Sequence, residues 1–318
     1  MTNTSIKLAD MRCAVLGGGG FIGTNLCRAL VNKVKSLRAF GRRQLFPGAL
    51  LGCEWIQGDF ADPTSLSAAI SGCDVVFHLV NATTPQTANT NKIADLNANV
   101  VNTLHLLEAC RETGVRRVIF ASSGGTIYGI PKQIPTPETA PTDPITAYGI
   151  SKLAIEKYLN LYEYLYGLEH CILRISNPFG PYQLAQKSQG VIAAFMHRAL
   201  LGKPLEIWGD GNIIRDYIYI DDVIEALLLA STYGGMGRVF NIGSGEGRNL
   251  TNIIGEMNDL FKFGVQLEYR QGRPVDVPVS ILNTEFALNE LGWQKHTTFR
   301  QGLENTLAWM RSGQSISI

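Results

Sequence analysis

Cys13-Ala14-Val15-Leu16-Gly17-Gly18-Gly19-Gly20-Phe21-Ile22-Gly23 decides how the rest of the chain is read. Four apolar residues form a strand, and a glycine turn then runs directly into a helix over Phe21–Val31. Gly17, Gly20 and Gly23 have the spacing G-x-x-G-x-x-G. In a strand–turn–helix unit, one glycine permits the tight turn, one lets backbone approach a pyrophosphate, and one lets the helix pack on the sheet. The helix start offers free N–H groups and a positive dipole end to phosphates. A glycine-rich stretch alone can be only a turn; in this context it predicts a dinucleotide site at Gly17, Gly20, Phe21, Ile22 and Gly23.

The units that follow repeat the pattern. Strands are predicted at Leu37–Phe40, Trp55–Gln57, Val75–Leu79, Val118–Ala121 and Cys171–Ile175. Asp62-Pro63 reads as a helix cap with Pro at the first helical position. A long helical stretch runs from about Lys92 to Glu112 and stops at Gly114. Another helix spans Ala147–Tyr166 and ends at Gly167. Strands alternating with helices predict an α/β fold with a Rossmann-type doubly wound parallel sheet. After Asn177 the rhythm breaks, and a short strand returns at Val239–Ile242. The expected division is a dinucleotide-binding domain over 1–176 and a smaller C-terminal substrate lobe over 177–318. A segment near 215–245 returns to the first domain.

With 45% hydrophobic and 17% charged residues, the 318-residue chain can bury a large core. A net charge of +1 gives no footprint for nucleic acid. Cys13, Cys27, Cys53, Cys73, Cys110 and Cys171 form no CxxC pair, so they read as buried thiols, with no metal expected. Met1–Asp10 lacks the apolar core of a signal peptide, and no apolar run reaches the ~20 residues of a membrane span. A cytoplasmic protein is expected.

The second strand ends Phe40-Gly41-Arg42-Arg43. An acidic residue there would hold the ribose 2′-hydroxyl of NAD; Phe40 stands in its place. Arg42 or Arg43 suits a 2′-phosphate or a stack on adenine, against the plainer reading of a solvated pair. Asp59, after the third strand, is placed for the adenine amino group or simply for a turn. Phe60 and Leu79, beside two other strand ends, complete the cofactor set. Tyr148 and Lys152 share one helix face. A phenol titrating near ~10 is a weak base at neutral pH, and a nearby ammonium favours its phenolate. The fifth strand runs into Ser122-Ser123-Gly124-Gly125-Thr126-Ile127-Tyr128-Gly129, where active sites form in such sheets.

These motifs together resemble the extended short-chain dehydrogenase/reductases, in particular the UDP-glucose 4-epimerase-like nucleotide-sugar enzymes. The likeness also rests on Asn99, Asn177-Pro178-Phe179-Gly180-Pro181 and Arg215-Asp216-Tyr217, and it covers Arg12 to about Trp309. It implies that Tyr148 is the acid/base and Lys152 its modulator and ribose anchor. Asn99 lies near the cofactor. Asn177, Arg215 and Arg273 meet the diphosphate, Asp276 the nucleotide ribose, and Gly190–Phe195, including Val191, the base. Gly124 occupies the position of the usual catalytic serine. The hydroxyl then comes from Ser123, which lies 25 residues before Tyr148 as the family expects, with Thr126 second. Glycines where sugar dehydratases carry Asp-Glu argue against dehydration. The resemblance implies a 4-epimerase acting through bound NAD on a UDP- or dTDP-linked sugar, in polysaccharide biosynthesis. The alternative is an NADPH-dependent 4-ketosugar reductase, favoured by Arg42 and Arg43. A dinucleotide-binding regulator without turnover is the reading outside enzymes. A homodimer paired through the long helices near Asn99 and Tyr148 is expected.

Overall fold

A computed structural model of the chain describes residues 7–185, 190–262, 264–270 and 277–313. The first half builds β1 (Arg12–Leu16), α1 (Phe21–Leu30), β2 (Ser36–Gly41), β3 (Glu54–Gln57), α2 (Pro63–Ile70), β4 (Val75–His78), α3 (Pro85–Thr90), α4 (Lys92–Asp95), α5 (Asn102–Thr113), β5 (Arg117–Ser123), α6 (Ala147–Tyr166) and β6 (Glu169–Ile175). The second half adds β7 (Asn177–Phe179), α7 (Val191–Leu200), β8 (Leu205–Trp208), β9 (Ile214–Tyr219), α8 (Ile220–Thr232), β10 (Val239–Ile242), β11 (Gly247–Arg248), α9 (Leu250–Phe261), β12 (Leu267–Arg270), β13 (Val279–Ser280) and α10 (Phe299–Arg311).

The central sheet has seven parallel strands in the order β10-β6-β5-β4-β1-β2-β3. The winding reverses between β1 and β4, and in such sheets the crevice outside that point takes the ligand. Both faces of the sheet are covered, so neighbouring residues of one strand serve opposite cores. Val15, Phe77, Ile119 and Leu173 pack with residues of α1 and α8. Leu16, Val76, Phe120 and Ile172 pack with residues of α2, α5 and α6.

Local signals set several boundaries. Asp62 accepts from the N–H groups of Thr64 and Ser65 and starts α2. Thr146 accepts from Gly149 N–H and starts α6, which ends at Gly167 in the left-handed conformation that glycine adopts without strain. The helical stretch from Lys92 is less regular than its sequence predicts. Residues Leu96–Val101 form a π-helical segment between α4 and α5, and an apolar repeat near 3.6 does not show that widening.

Beyond Asn177 the chain holds more strand than its broken rhythm predicts. β9 lies between β11 and β13 and also pairs with β7, while β8 pairs with β12. Strands of two to six residues are too short to display a period. β10 lies in the first sheet, where it pairs with β6. Within residues 215–245, β9 lies in the small sheet and α8 packs against β5 and β6 of the first sheet. Among the described residues no helix is long and apolar enough to cross a membrane.

Candidate active site

A cavity of about 1080 Å³ opens along the carboxyl edge of the sheet and continues under α7 and β8. Gly17, Gly20, Phe21, Ile22 and Gly23 line it beside Leu79, across the switch point. No side chain caps α1, whose cap position is Gly20, so no capping side chain competes for its first N–H groups. A Cβ on Gly23 would stand 2.1 Å from the Gly17 carbonyl oxygen, so helix and turn touch through backbone alone. The turn is pinned to β2 by Gly17 and Gly18 N–H groups, which donate to the Phe40 carbonyl at 2.9 and 3.0 Å. An uncapped helix start against a bare backbone cradle fits a pyrophosphate.

Tyr148 and Lys152 line the same cavity from α6. Lys152 is buried. Its Nζ donates to the Ala121 carbonyl at 2.8 Å and lies 4.7 Å from the Phe120 ring centroid and 5.8 Å from that of Tyr148. Burial pulls its ammonium down to about 8, against the attraction of Glu156 and Asp95. Tyr148 is half-buried. Desolvation, with repulsion from Asp95, pushes its phenol up to about 12, and a hydrogen bond with Ser123 works the other way. Ser123 and Thr126 both line the cavity. Thr126 Oγ1 is buried and has no hydrogen-bond partner among the described residues. Gly124 is packed under Leu282, where a Cβ would meet Cδ1 at 2.5 Å. A side chain there would require Leu282 to turn aside and would press on the Arg174 carbonyl at 3.0 Å.

Beneath this edge lies a buried ionic layer. Arg174 donates to both Glu156 oxygens at 3.1 and 2.7 Å and to Tyr128 Oη at 2.9 Å. Glu156 also accepts from Ser122 Oγ at 2.7 Å, and Tyr128 donates to Asn241 at 2.7 Å. Burial opposes the Arg174 charge, but Glu156 outweighs it and holds the guanidinium above its ordinary range. This layer ties β5, α6, β6 and β10 together directly below Ser123.

From the second half of the chain, Asn177, Val191 and Arg215 line the cavity. Asn177 Nδ2 donates to the Asp216 carbonyl at 2.9 Å. Arg215 Nη1 donates to the carbonyls of Ile214 and Val277 at 2.9 and 2.6 Å. Asp216 is fully buried and accepts from Ser176, Ser244, Gly245 and Leu282, so it is a loop anchor. Arg273 and Asp276 lie outside the described residues.

Four expected cofactor residues are not among those lining this cavity. Asn99 is buried, accepts from Ala82 N–H at 2.9 Å and donates to Thr83 and Asp95, so it braces the loop after β4. Phe60 is buried and stacked on His78 with centroids 5.1 Å apart. Asp59 is exposed and accepts from Ala61 N–H at 2.9 Å, a turn bond. Arg42 and Arg43 are exposed beyond Gly41, which closes β2; Phe40 is 1% exposed and belongs to the core. The residue at the mouth of β2 is therefore Gly41, one later than the sequence reading placed it. In turn, Asn81, Thr84 and Gln86 line the cavity unannounced. Their only signal was position, just past the end of β4.

The model of the NAD dependent epimerase/dehydratase family matches residues 13–243. The chain belongs to that family. Within it, the chain is an extended short-chain dehydrogenase/reductase of UDP-glucose 4-epimerase type. A UDP-glucose 4-epimerase of Mycolicibacterium smegmatis is 31% identical, covering 95% of this chain and 99% of that protein. The crystal structure of UDP-glucose 4-epimerase with UDP-glucose from Thermotoga maritima has a TM-score of 0.91 and 32% identity, covering 95% of this chain and 99% of that one. The Thermus thermophilus UDP-glucose 4-epimerase complex with NAD has a TM-score of 0.88 and 30% identity over 95% and 99%.

Proposed function

We propose that this protein is a nucleotide-sugar 4-epimerase of the UDP-glucose or UDP-N-acetylglucosamine type that works with bound NAD. The observation that carries the reading is the placement of Tyr148, Lys152 and Ser123 in one cavity with the uncapped start of α1. NAD, when bound, supplies reversible hydride exchange with the sugar. The chain does the remainder. Gly17, Gly20 and the first N–H groups of α1 hold the pyrophosphate. Tyr148 moves the proton of the sugar C4 hydroxyl, taking it on oxidation and returning it on reduction. Lys152, still largely cationic at neutral pH, favours the phenolate and anchors the ribose. Ser123 bonds the phenol, and Thr126 offers an unused hydroxyl to the sugar. Asn177 and Arg215 are assigned to the diphosphate and Val191 to the base, with Arg273 and Asp276 kept in the same roles by family resemblance.

The resident nucleotide, released by acid from purified protein, is expected to be NAD by mass spectrometry. UDP-glucose or UDP-N-acetylglucosamine incubated without added reductant is expected to yield the C4 epimer by NMR. Tyr148→Phe should lose most turnover yet keep fold and cofactor; unchanged turnover would exclude the assignment. A 4-ketosugar reductase is the second reading, favoured by exposed Arg42 and Arg43. It requires NADPH consumption and no epimer.

The protein is proposed to act as a homodimer. Ile93, Leu96 and Val101 on the stretch from Lys92, with Ile150, Leu161 and Leu165 on α6, are exposed apolar residues of neighbouring helices, the faces a four-helix pairing would cover.

A further inference from the structure

One carboxylate beside the site is unexplained by the chemistry above. Asp95 ends α4 and is 1% exposed. Its Oδ2 accepts from Ser151 Oγ at 2.5 Å. Its Oδ1 accepts from Asn99 Nδ2 at 2.9 Å and from the Thr83 hydroxyl. Every partner is neutral, and no ion pair closes on Asp95 among the described residues. A buried carboxylate without a cation is expensive, and an amide would satisfy much of the same neighbourhood. Its partners show what it joins. Ser151 lies between Tyr148 and Lys152 on α6. Thr83 and Asn99, the latter through Ala82 N–H, hold the loop that carries Asn81, Thr84 and Gln86 into the cavity. The π-helical segment begins at the next residue, and its wide turn brings the Asn99 amide back to the Asp95 carbonyl at 3.1 Å.

We propose that Asp95 is a positioning residue for the Tyr148–Lys152 pair: it locks α6 to the loop on the opposite wall of the cavity, and its charge sets the field in which both groups work. This rests on the acid/base reading of Tyr148. The titratable groups facing this pair are Asp95 itself, Glu156 on α6 and His78 on β4. His78 is kept neutral by burial, and α3 carries no titratable side chain. The Asp95 charge raises both Tyr148 and Lys152, so its removal lowers both.

The test compares Asp95→Asn, Ser151→Ala and wild type as full-length, NAD-loaded protein. In Asp95→Asn, kcat should fall about tenfold with KM within twofold, and both limbs of the pH–rate profile should move to lower pH. Ser151→Ala keeps the charge and removes the tie, so kcat should fall without movement of the limbs. Lysine labelled with 13C at Cε reads Lys152 directly by NMR, assigned through Lys152→Arg. Its titration should move down in Asp95→Asn and stay in Ser151→Ala. An unmoved Lys152 titration in folded Asp95→Asn overturns the proposal. If Asp95→Asn does not fold, Ser151→Ala decides: a loss in kcat of threefold or more at constant KM supports the tie, and wild-type kcat overturns it. The lysine titration needs no sugar, so a wild type that turns over no nucleotide sugar refutes the functional reading and leaves this one standing or falling by itself.

Discussion

Gly23→Ala sets two physical effects against each other at one position. Gly23 lies in the first turn of α1, and helix propensity alone favours alanine by about 1 kcal/mol. Packing says the opposite. The new Cβ would stand 2.1 Å from the Gly17 oxygen and 2.8 Å from both Gly17 C and Gly18 Cα. Ordinary contact needs about 3.5 Å, so backbone must retreat by roughly 1.4 Å. That backbone is held from several sides. Gly17 and Gly18 donate to Phe40, Gly20 N–H donates to Gly17 at 2.9 Å, and Thr24 Oγ1 donates to Gly18 at 3.4 Å. Overpacking costs about 1–3 kcal/mol and each disturbed hydrogen bond about 1 kcal/mol, so the clash outweighs the propensity gain by about 2 kcal/mol. The displaced turn is also the pyrophosphate cradle, so NAD affinity should fall by more than about tenfold. Gly255→Ala is the control. Gly255 lies inside α9, and a Cβ there meets nothing within 4 Å. It should gain about 0.5–1 kcal/mol by propensity alone. Urea unfolding of the cofactor-free proteins and calorimetric NAD titration read both quantities. A Gly23→Ala protein as stable as wild type, with NAD affinity within threefold, would refute the reasoning.

Arg174→Met should cost about 3–5 kcal/mol by leaving Glu156 buried without its cation, while Glu156→Leu with Arg174→Met should recover most of that; strictly additive losses in urea unfolding would contradict the shared ion pair. Burial pushes His78 down to about 3, whereas the unfolded chain takes up its proton near the ordinary 6.5. Stability is therefore lost as pH falls from about 6.5 toward 3, and His78→Gln should flatten that decline; an unchanged slope counts against a buried neutral imidazole. Light scattering at micromolar concentration should give a dimer mass, and Leu96→Asp with Ile150→Asp should give a monomer; a monomeric wild type would rule out the helix pairing.

The dinucleotide-binding half was readable because its signals are local. The glycine turn, the Asp62 cap and the run from Ala147 to Gly167 each state their structure within a few residues. The elements that bring Gly17, Gly20, Gly23, Tyr148 and Lys152 to one cavity were legible for the same reason. Groups joined across the fold were not readable. Glu156 and Arg174 are 18 residues apart and look like two ordinary charges until α6 packs on β5 and β6. Asp95 drew no attention in the sequence, because its partners Thr83, Asn99 and Ser151 come together only in the folded chain. Asn99 was assigned to the cofactor by family likeness, and its bonds to Ala82, Thr83 and Asp95 join residues that no local pattern links. The single-residue ambiguity at Phe40 and Gly41 arose because strand ends are the least determined part of a periodic pattern.

The seventh strand of the sheet has a consequence for how the molecule is made. β10 is contributed from beyond β7, α7, β8 and β9, and α8 leads into it across the backs of β5 and β6. A polypeptide ending at 176 would leave the edge of β6 bare and the face under α8 open to water. During synthesis the nucleotide-binding half must therefore wait for about sixty more residues before its sheet is closed. The point near Asn177 where the strand–helix rhythm breaks is therefore no seam along which the chain can be divided into two proteins.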